Sequence, residues 1–163
     1  EEELVSAGAT VLDRAWGDLD IHGTPLRLGG LYDYAFALDD RNSCDPDRMD
    51  PEVCRFLTDF QDTERFTLML SHRPDSFALG EAARTWSIDL VLSGHAHGGQ
   101  VVLPVLGGVF GGDLGLFSPY LHGMCRKDGL TMAVTSGLGS QRERLPRFHN
   151  PPEIMVIDLT PES

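Results

Sequence analysis

Short runs of β-prone residues alternate with turn residues at the start of the chain. The β-prone runs are residues 10–12, 19–22 and 26–31, and a turn at 23–25 separates the last two. Alternation of this kind is typical of neighbouring strands joined by tight turns. The opening pattern therefore predicts a β-meander.

A polar stretch then gives way to a helical pattern. Residues 39–50 are mostly polar, which is typical of a surface loop. Asp50 offers an N-cap, Pro51 stands at the first helical position, and Glu52 lies in the first turn. Apolar residues recur beyond them at helical spacing, namely Val53, Phe56, Leu57 and Phe60. We expect an amphipathic helix over residues 51–60.

Two short apolar runs flank a second helical pattern. Residues 66–70 and 88–92 are suited to buried strands, and residues 75–86 between them to a helix. A strand–helix–strand unit makes its two strands parallel, so their C-terminal ends share one edge of the sheet. Sites in α/β folds usually form at that edge.

Three histidines follow these two strands closely. His72 lies just beyond the first strand, and His95 and His97 lie just beyond the second, so we expect the three to converge. In an extended segment, residues two apart face the same side with their stems about 6.6 Å apart. Two imidazoles so placed can reach neighbouring ions of a two-metal site, which are roughly 3.5 to 4 Å apart. His72 would join one of these ions.

A structural role is the alternative explanation for the three histidines. An isolated His-x-His pair is common and by itself favours a structural explanation. Three histidines that follow two buried strands are harder to attribute to core packing, because buried imidazoles need hydrogen-bond partners. Glycines at 94, 98 and 99 permit the tight backbone path of a site. A serine nucleophile is disfavoured because no G-x-S-x-G segment occurs. The other histidines stand in polar or loop contexts and are interpreted as surface residues: His22, His122 and His149.

Charge excludes one class of partner. The sequence has 13 Lys and Arg against 25 Asp and Glu, a net charge of −12, which would repel a nucleic-acid backbone.

Its 163 residues fit one domain, and 41% hydrophobic residues is a globular composition. No apolar stretch approaches the roughly eighteen residues of a membrane span. The cysteines are too scattered for a disulfide scaffold and are predicted to be free thiols: Cys44, Cys54 and Cys125.

The motifs around the histidines resemble those of a known family. Residues 71–75 (SHRPD) and 89–100 (DLVLSGHAHGGQ) look like the second half of calcineurin-like metallophosphoesterases, notably a bacterial and often membrane-associated branch. Residues 136–139, 147–148 and 151–154 are similar to the same branch. The resemblance implies an α/β fold, the C-terminal half of an αββα sandwich with a mixed sheet and flanking helices.

The resemblance also implies a chemistry. The intact parent would hydrolyse a phosphoester with two divalent ions, Mn, Fe or Zn, and a metal-bound hydroxide. His72 and His95 would bind the second ion and His97 the first. A cytoplasmic or peripheral membrane location is implied as well. Neither the substrate nor its binding residues follow from the likeness.

The chain departs from the family pattern in its first part. The Asp-x-His, Gly-Asp and Gly-Asn-His motifs that open the family domain are not found upstream of the predicted meander. Asp20-Ile21-His22-Gly23 imitates the first, but no apolar strand precedes it. The chain also opens at Glu1 without an initiator methionine, so we expect residues 1–163 to be the C-terminal portion of the domain.

Such a portion would lack an assured catalytic residue. We expect it to bind about one ion weakly, to be inactive alone, and to self-associate through the surface that the missing part covers. The alternative function is a noncatalytic metal-binding or interaction module.

An apolar segment follows the last of the three histidines. Residues 101–110 are strongly apolar, and the pattern continues to residue 121 with glycines and a proline between. We expect a buried strand followed by a loop that covers the core. The alternative is an exposed apolar rim beside the site, which would suit a lipid-linked phosphoester.

Overall fold

One six-stranded sheet dominates the computed structural model, which describes residues 2–38, 43–139 and 146–160. The helices are α1 (Glu2–Ser6), α2 (Pro51–Gln61), α3 (Asp75–Ala78) and α4 (Ala82–Thr85). The strands are β1 (Ala15–Ile21), β2 (Thr24–Gly30), β3 (Phe66–Leu70), β4 (Leu90–Ser93), β5 (Val102–Leu103), β6 (Gly107–Gly108), β7 (Gly123–Lys127) and β8 (Leu130–Val134). Short 3₁₀ turns at His97–Gly99 and Gly112–Leu114 complete the described elements.

The sheet is mixed, with a parallel centre and antiparallel edges. Its order is β1-β2-β3-β4-β8-β7. Strands β2, β3, β4 and β8 run parallel, while β1 and β7 pair antiparallel at the two margins. Four strands therefore end at the same edge, and the residues that follow β3, β4 and β8 come together there. The predicted strand–helix–strand arrangement with parallel strands is confirmed.

The predicted meander is only partly correct. Strands β1 and β2 form a hairpin, with the Asp20 carboxylate accepting a 2.8 Å hydrogen bond from the Gly23 backbone N–H in its turn. Residues 10–12 form no strand, and the Leu12 backbone lies against Gly30, where a Cβ would be 2.2 Å from the Leu12 carbonyl oxygen. The next partner of β2 is the distant β3, so the hairpin does not continue into a meander.

The predicted amphipathic helix is confirmed as α2. The Asp50 side chain accepts hydrogen bonds from the backbone N–H groups of Glu52 and Val53 and so caps the helix. All four residues of the predicted apolar face are buried. Gly29 allows Phe60 to lie against the sheet, since a Cβ at Gly29 would be 2.5 Å from the Phe60 ring. The preceding loop is irregular over residues 43–50, while residues 39–42 lie outside the described part of the chain.

The predicted helix over residues 75–86 is wrong as a continuous element. It consists of two single-turn helices, α3 and α4, separated by Gly80 with a φ of 61°. That left-handed conformation suits glycine and interrupts the helical hydrogen bonds. Beyond α4, the Trp86 indole N–H donates a 2.8 Å hydrogen bond to the Ala35 carbonyl oxygen. The break lets the chain turn back onto the core.

The two faces of the sheet are covered unequally. One face carries the main core, which includes Phe60 and Phe77. The other carries a small cluster around Leu68 and Leu90, against which Met155 and Ile157 of the C-terminal segment pack. Alternation along the strands and the strand register place five exposed apolar residues on this second face: Leu19, Ile21, Phe66, Leu70 and Met124.

Two further sequence expectations can be compared with the described residues. The three cysteines are free, as predicted. In the described ranges, no helix has the length and apolar character needed to cross a bilayer.

Candidate metal centre

Two of the three predicted metal-binding histidines face each other at the C-terminal edge of the sheet. His72 follows β3, His95 follows β4, and their ring centroids are 5.1 Å apart at an angle of 75°. Gly94 adjoins the pair, since a Cβ there would lie 4.0 Å from His72 Nδ1. The parallel pairing of β3 with β4 produces this proximity, because it aligns the ends of the two strands.

The backbone of the His-x-His segment is turned rather than extended. His95 has a φ of 58° and His97 a φ of 47°, both in the left-handed region. The expectation of an extended segment is therefore wrong. Left-handed conformations cost non-glycine residues on the order of 1 to 3 kcal/mol and cluster at functional sites. A tight 3₁₀ turn over His97–Gly99 carries the chain away from the sheet edge.

His97 contacts the segment that follows β8. Its Nδ1 atom is 3.4 Å from Nη2 of Arg147, and its carbonyl oxygen accepts a 2.6 Å hydrogen bond from the Asn150 amide. Gly139 adjoins the ring, where a Cβ would be 3.6 Å from Cε1 of His97. Arg147 also donates to the carbonyl oxygens of Ser136 and Gly139. His97 is therefore packed between two loops at the same edge.

The electrostatics of the site favour neutral imidazoles. Partial burial lowers the pKa of His95, and the positive charge of Arg73 lowers it further. The pKa of His97 is lowered by partial burial and then by the charge of Arg147. A lowered histidine pKa means that more of the ring is unprotonated at neutral pH. The unprotonated ring is the form that binds a metal ion.

Arg73 belongs to a polar cluster beside the histidines. Its guanidinium is held by the buried Asp75 at 2.6 Å and by Asp113 at 3.1 Å. The Tyr34 hydroxyl donates a 2.9 Å hydrogen bond to Asp113, and burial with this contact raises the pKa of Tyr34 to about 12. These contacts tie the loop after β3 to the 3₁₀ turn at Gly112–Leu114.

The donors present fit a metal centre in part. Within the described ranges, no group of three or more His, Cys, Asp or Glu side chains is arranged to hold an ion. His72 and His95 nevertheless supply adjacent imidazoles, which suit Mn, Fe or Zn. A cleft of about 400 Å³ opens beside His72 and is lined by Ser93, whose hydroxyl is buried without a partner in the described part of the chain. Additional ligands have room to enter there.

The imitation motif around His22 lies elsewhere. It forms the turn between β1 and β2, at the N-terminal end of β2 and thus at the opposite edge of the sheet from His72 and His95. His22, His122 and His149 are exposed, as expected for surface residues.

Sequence reasoning did not identify several residues that lie near the histidines at the C-terminal edge of the sheet. Ser136 follows β8 and so reaches the same edge, where Glu153 accepts hydrogen bonds from its N–H and its hydroxyl. The apolar run of β8 followed by a polar Thr-Ser-Gly segment was the available signal. Arg147 and Glu153 lie in stretches that resemble the family, but no local pattern assigned them a place, because they reach the site from an irregular segment.

The apolar segment after His97 is largely exposed, which corrects the expectation of a buried strand and a core-covering loop. Strands β5 and β6 form a small hairpin outside the main sheet. Phe110 is 43% exposed and Phe117 is 44% exposed. Three aliphatic side chains of the segment are more exposed still: Val105, Leu106 and Leu116. An apolar rim therefore lies beside the histidine-bearing loop.

Three bacterial proteins are similar to the chain in sequence. An uncharacterized metallophosphoesterase of Helicobacter pylori (strain J99) is 32% identical over 148 residues, covering 90% of this chain and 35% of the relative. A second uncharacterized metallophosphoesterase, from Helicobacter pylori (strain 26695), is 31% identical over 148 residues, which cover 90% of this chain and 35% of the relative. The uncharacterized metallophosphoesterase YkuE of Bacillus subtilis (strain 168) is 38% identical over 96 residues, 58% of this chain and 31% of the relative.

These relatives confirm the family resemblance, and the six-stranded mixed sheet with its flanking helices confirms the mixed α/β class. No family model matches the chain, and no solved structure matches it significantly. The chain spans about a third of the length of the relatives it matches.

Proposed function

Because this chain is homologous over most of its length to bacterial metallophosphoesterases, we propose that it forms the histidine-rich part of a metal-dependent phosphoester hydrolase. The observation that carries the proposal is the adjacency of His72 and His95, with a strained backbone at His95 and His97, at the edge where parallel strands end. His72 and His95 would bind one ion, and His97 would bind a second.

The residues of this chain would prepare the site for the reaction. Divalent ions, when bound, polarise the phosphoryl oxygens and activate water. His72 and His95 offer adjacent ring nitrogens, while Arg147 and Asn150 hold the loop that carries His97. The remaining ligands and the catalytic histidine would come from the part of the relatives that this chain does not cover. The isolated chain would then be inactive.

Hydrolysis by the full-length protein tests this function. We expect it to cleave bis(p-nitrophenyl) phosphate with Mn²⁺ present. The rate should fall at least about tenfold when a chelator removes the ion. Activity should return when Mn²⁺ is added back, which controls for damage by the chelator. Metal binding without any turnover would contradict the proposal and favour a noncatalytic metal-binding module.

The exposed rim supports a proposal about the substrate. The segment leaves the site directly after His97, so Phe110 and Phe117 lie where the organic part of a phosphoester could emerge. Burying apolar surface against lipid contributes roughly 25 cal/mol per Å². We therefore propose that the full-length protein acts on a lipid-linked phosphoester from the membrane surface.

Substitution of the rim tests the lipid proposal. In the full-length protein, Phe110→Asp with Phe117→Asp should reduce turnover of a lipid phosphoester in liposomes by at least about tenfold, because charged residues disfavour contact with apolar chains. Turnover of a small water-soluble phosphoester should change little. The matched control is Leu4→Asp with Val5→Asp, two exposed apolar residues of α1. Equal loss on both substrates would show that the segment is needed for folding and would refute the lipid proposal.

A further inference from the structure

Four consecutive residues, which we call the His97 turn, have a left-handed backbone. Their φ angles are 47° at His97, 61° at Gly98, 81° at Gly99 and 59° at Gln100. For residues other than glycine this conformation is uncommon, and it persists where the surrounding structure holds it in place. The turn that presents His97 therefore depends on partners elsewhere in the chain.

Those partners come from residues 147–150, which we call the strap. The Phe148 N–H donates a 3.1 Å hydrogen bond to the Gln100 carbonyl oxygen. The Phe148 carbonyl oxygen accepts a 2.9 Å hydrogen bond from the N–H of Val102, at the start of β5. Main-chain hydrogen bonds thus hold the strap alongside the His97 turn, so the side chains at its two ends reach the turn from a fixed position.

Asn150, at one end of the strap, bridges the two ends of the His97 turn. Its side-chain amide donates to the His97 carbonyl oxygen at 2.6 Å and to the Gln100 carbonyl oxygen at 3.1 Å. Asn150 is 8% exposed, and a Cβ at Gly98 would lie 2.9 Å from its Oδ1 atom. The amide nitrogen is therefore committed to the backbone that carries His97. An ionised carboxylate of the same shape could donate neither hydrogen bond.

Arg147, at the other end of the strap, holds the loop after β8. Its guanidinium donates hydrogen bonds to the carbonyl oxygens of Ser136 at 2.5 Å, Gly137 at 3.0 Å and Gly139 at 2.5 Å. It also donates to Asn150 Oδ1 at 3.3 Å, so the two side chains of the strap are joined. Arginine presents five N–H donors in a planar fork, which suits such a set of acceptors.

The ring of His97 lies between Arg147 and the loop after β8. Its Nδ1 atom is 3.4 Å from Nη2 of Arg147, and the Gly139 carbonyl oxygen forms a hydrogen bond with the ring. Because Nδ1 is on the side of the guanidinium, Nε2 is the nitrogen left to bind an ion. Groups that orient a metal-binding histidine are typically worth 10- to 100-fold in metal affinity.

We propose that Asn150 and Arg147 are positioning residues for His97, and that they set the affinity of one of the two ions and not of the other. The inference rests on the proposed function, in which His97 binds one ion while His72 and His95 bind the other. Among the residues that the structure describes, the two strap side chains donate to the His97 turn, to the loop after β8 and to each other, and to neither histidine of the other ion.

Metal binding by the full-length protein tests the inference. We expect the wild type to bind two Mn²⁺ ions. Asn150→Asp and Arg147→Gln should each weaken one ion by about tenfold or more and leave the affinity of the other unchanged. Isothermal titration calorimetry, with metal analysis after dialysis, resolves the two ions. The matched control is Arg84→Gln, at an arginine of α4 with a side chain that is 68% exposed, and it should bind both ions like the wild type.

A purely structural role for the strap makes a different prediction. If Asn150 only stabilised the fold, Asn150→Asp would weaken ion binding whether or not His97 is present. If Asn150 acts through His97, the combination of Asn150→Asp with His97→Ala should bind the remaining ion within about twofold of His97→Ala alone, because no imidazole is left to position. Circular dichroism establishes that the variants are folded. Should Asn150→Asp fail to fold, Arg147→Gln takes its place, and unfolding of both would overturn the inference.

The outcomes separate this inference from the function on which it rests. Weakening of one ion that depends on the presence of His97 supports the inference. Unchanged binding of both ions, or equal weakening of both, overturns it while the proposed function stands. If the wild type binds two ions but cleaves no phosphoester, the proposed function fails, and the positioning of His97 is still decided by the two affinities. If no ion depends on His97, its assignment as a ligand and this inference fail together.

Discussion

Adding, as a separate polypeptide, the part of the relatives that this chain does not cover should raise phosphodiesterase turnover by this chain at least about 10³-fold above background, a smaller factor than the roughly 10⁶-fold or more that is typical of enzymes. The chain spans about a third of its relatives, and the added polypeptide would correspond to the part not covered. The second face of the sheet offers a docking surface, with Leu70 41% exposed and Leu19 43% exposed. Covering this apolar surface would drive association.

The same surface should make the isolated chain self-associate. Exposed apolar faces and unpaired strand edges promote pairing between copies, including exchange of elements. Light scattering should therefore detect species larger than a monomer, and these should dissociate as the complementing polypeptide is added. We propose that one surface serves both contacts.

A variant on the second face provides the test of docking. Leu70→Asp should prevent both self-association and recovery of activity, while Leu38→Asp, at a residue that is 66% exposed in a loop, should prevent neither. Circular dichroism would establish that both variants are folded. A strictly monomeric chain with full turnover by itself would refute this prediction.

The substitution of His95→Ala with His97→Ala should abolish metal binding by the chain. We expect the wild type to bind about one Mn²⁺, Zn²⁺ or Ni²⁺ weakly, and the double variant to bind at least about 100-fold more weakly, because imidazole nitrogens are the principal ligands offered. Isothermal titration calorimetry measures both. The matched control, His22→Ala with His149→Ala, removes two exposed histidines and should bind like the wild type.

The pH dependence of binding follows from the lowered pKa values. Unperturbed histidine has a pKa of about 6.5, and the values of His95 and His97 are lowered. The unprotonated forms of His95 and His97 therefore persist to lower pH. Protons should displace the metal only as the pH falls below the unperturbed histidine pKa of about 6.5. Equal binding by the wild type and the double variant would contradict the assignment of these histidines.

Local interactions made several elements predictable from the sequence. Helix α2 follows from the Asp50 cap and an apolar face within eleven residues, and β3 was predicted over its full extent, 66–70. The strand–helix–strand pattern was enough to bring His72 and His95 to one edge, because parallel strands must end together. The motifs around them also carried the family resemblance, which the relatives confirm.

Contacts between distant segments decided what the sequence did not reveal. His97, one of the two histidines with a left-handed backbone, accepts a hydrogen bond at its carbonyl oxygen from Asn150, which is 53 residues away along the chain. His122 and Glu153 are 31 residues apart, and neither stands in a pattern that indicates the other. Such pairs depend on where the sheet places the ends of its strands. A local pattern predicts that a strand ends, but only the tertiary fold determines which side chains meet there.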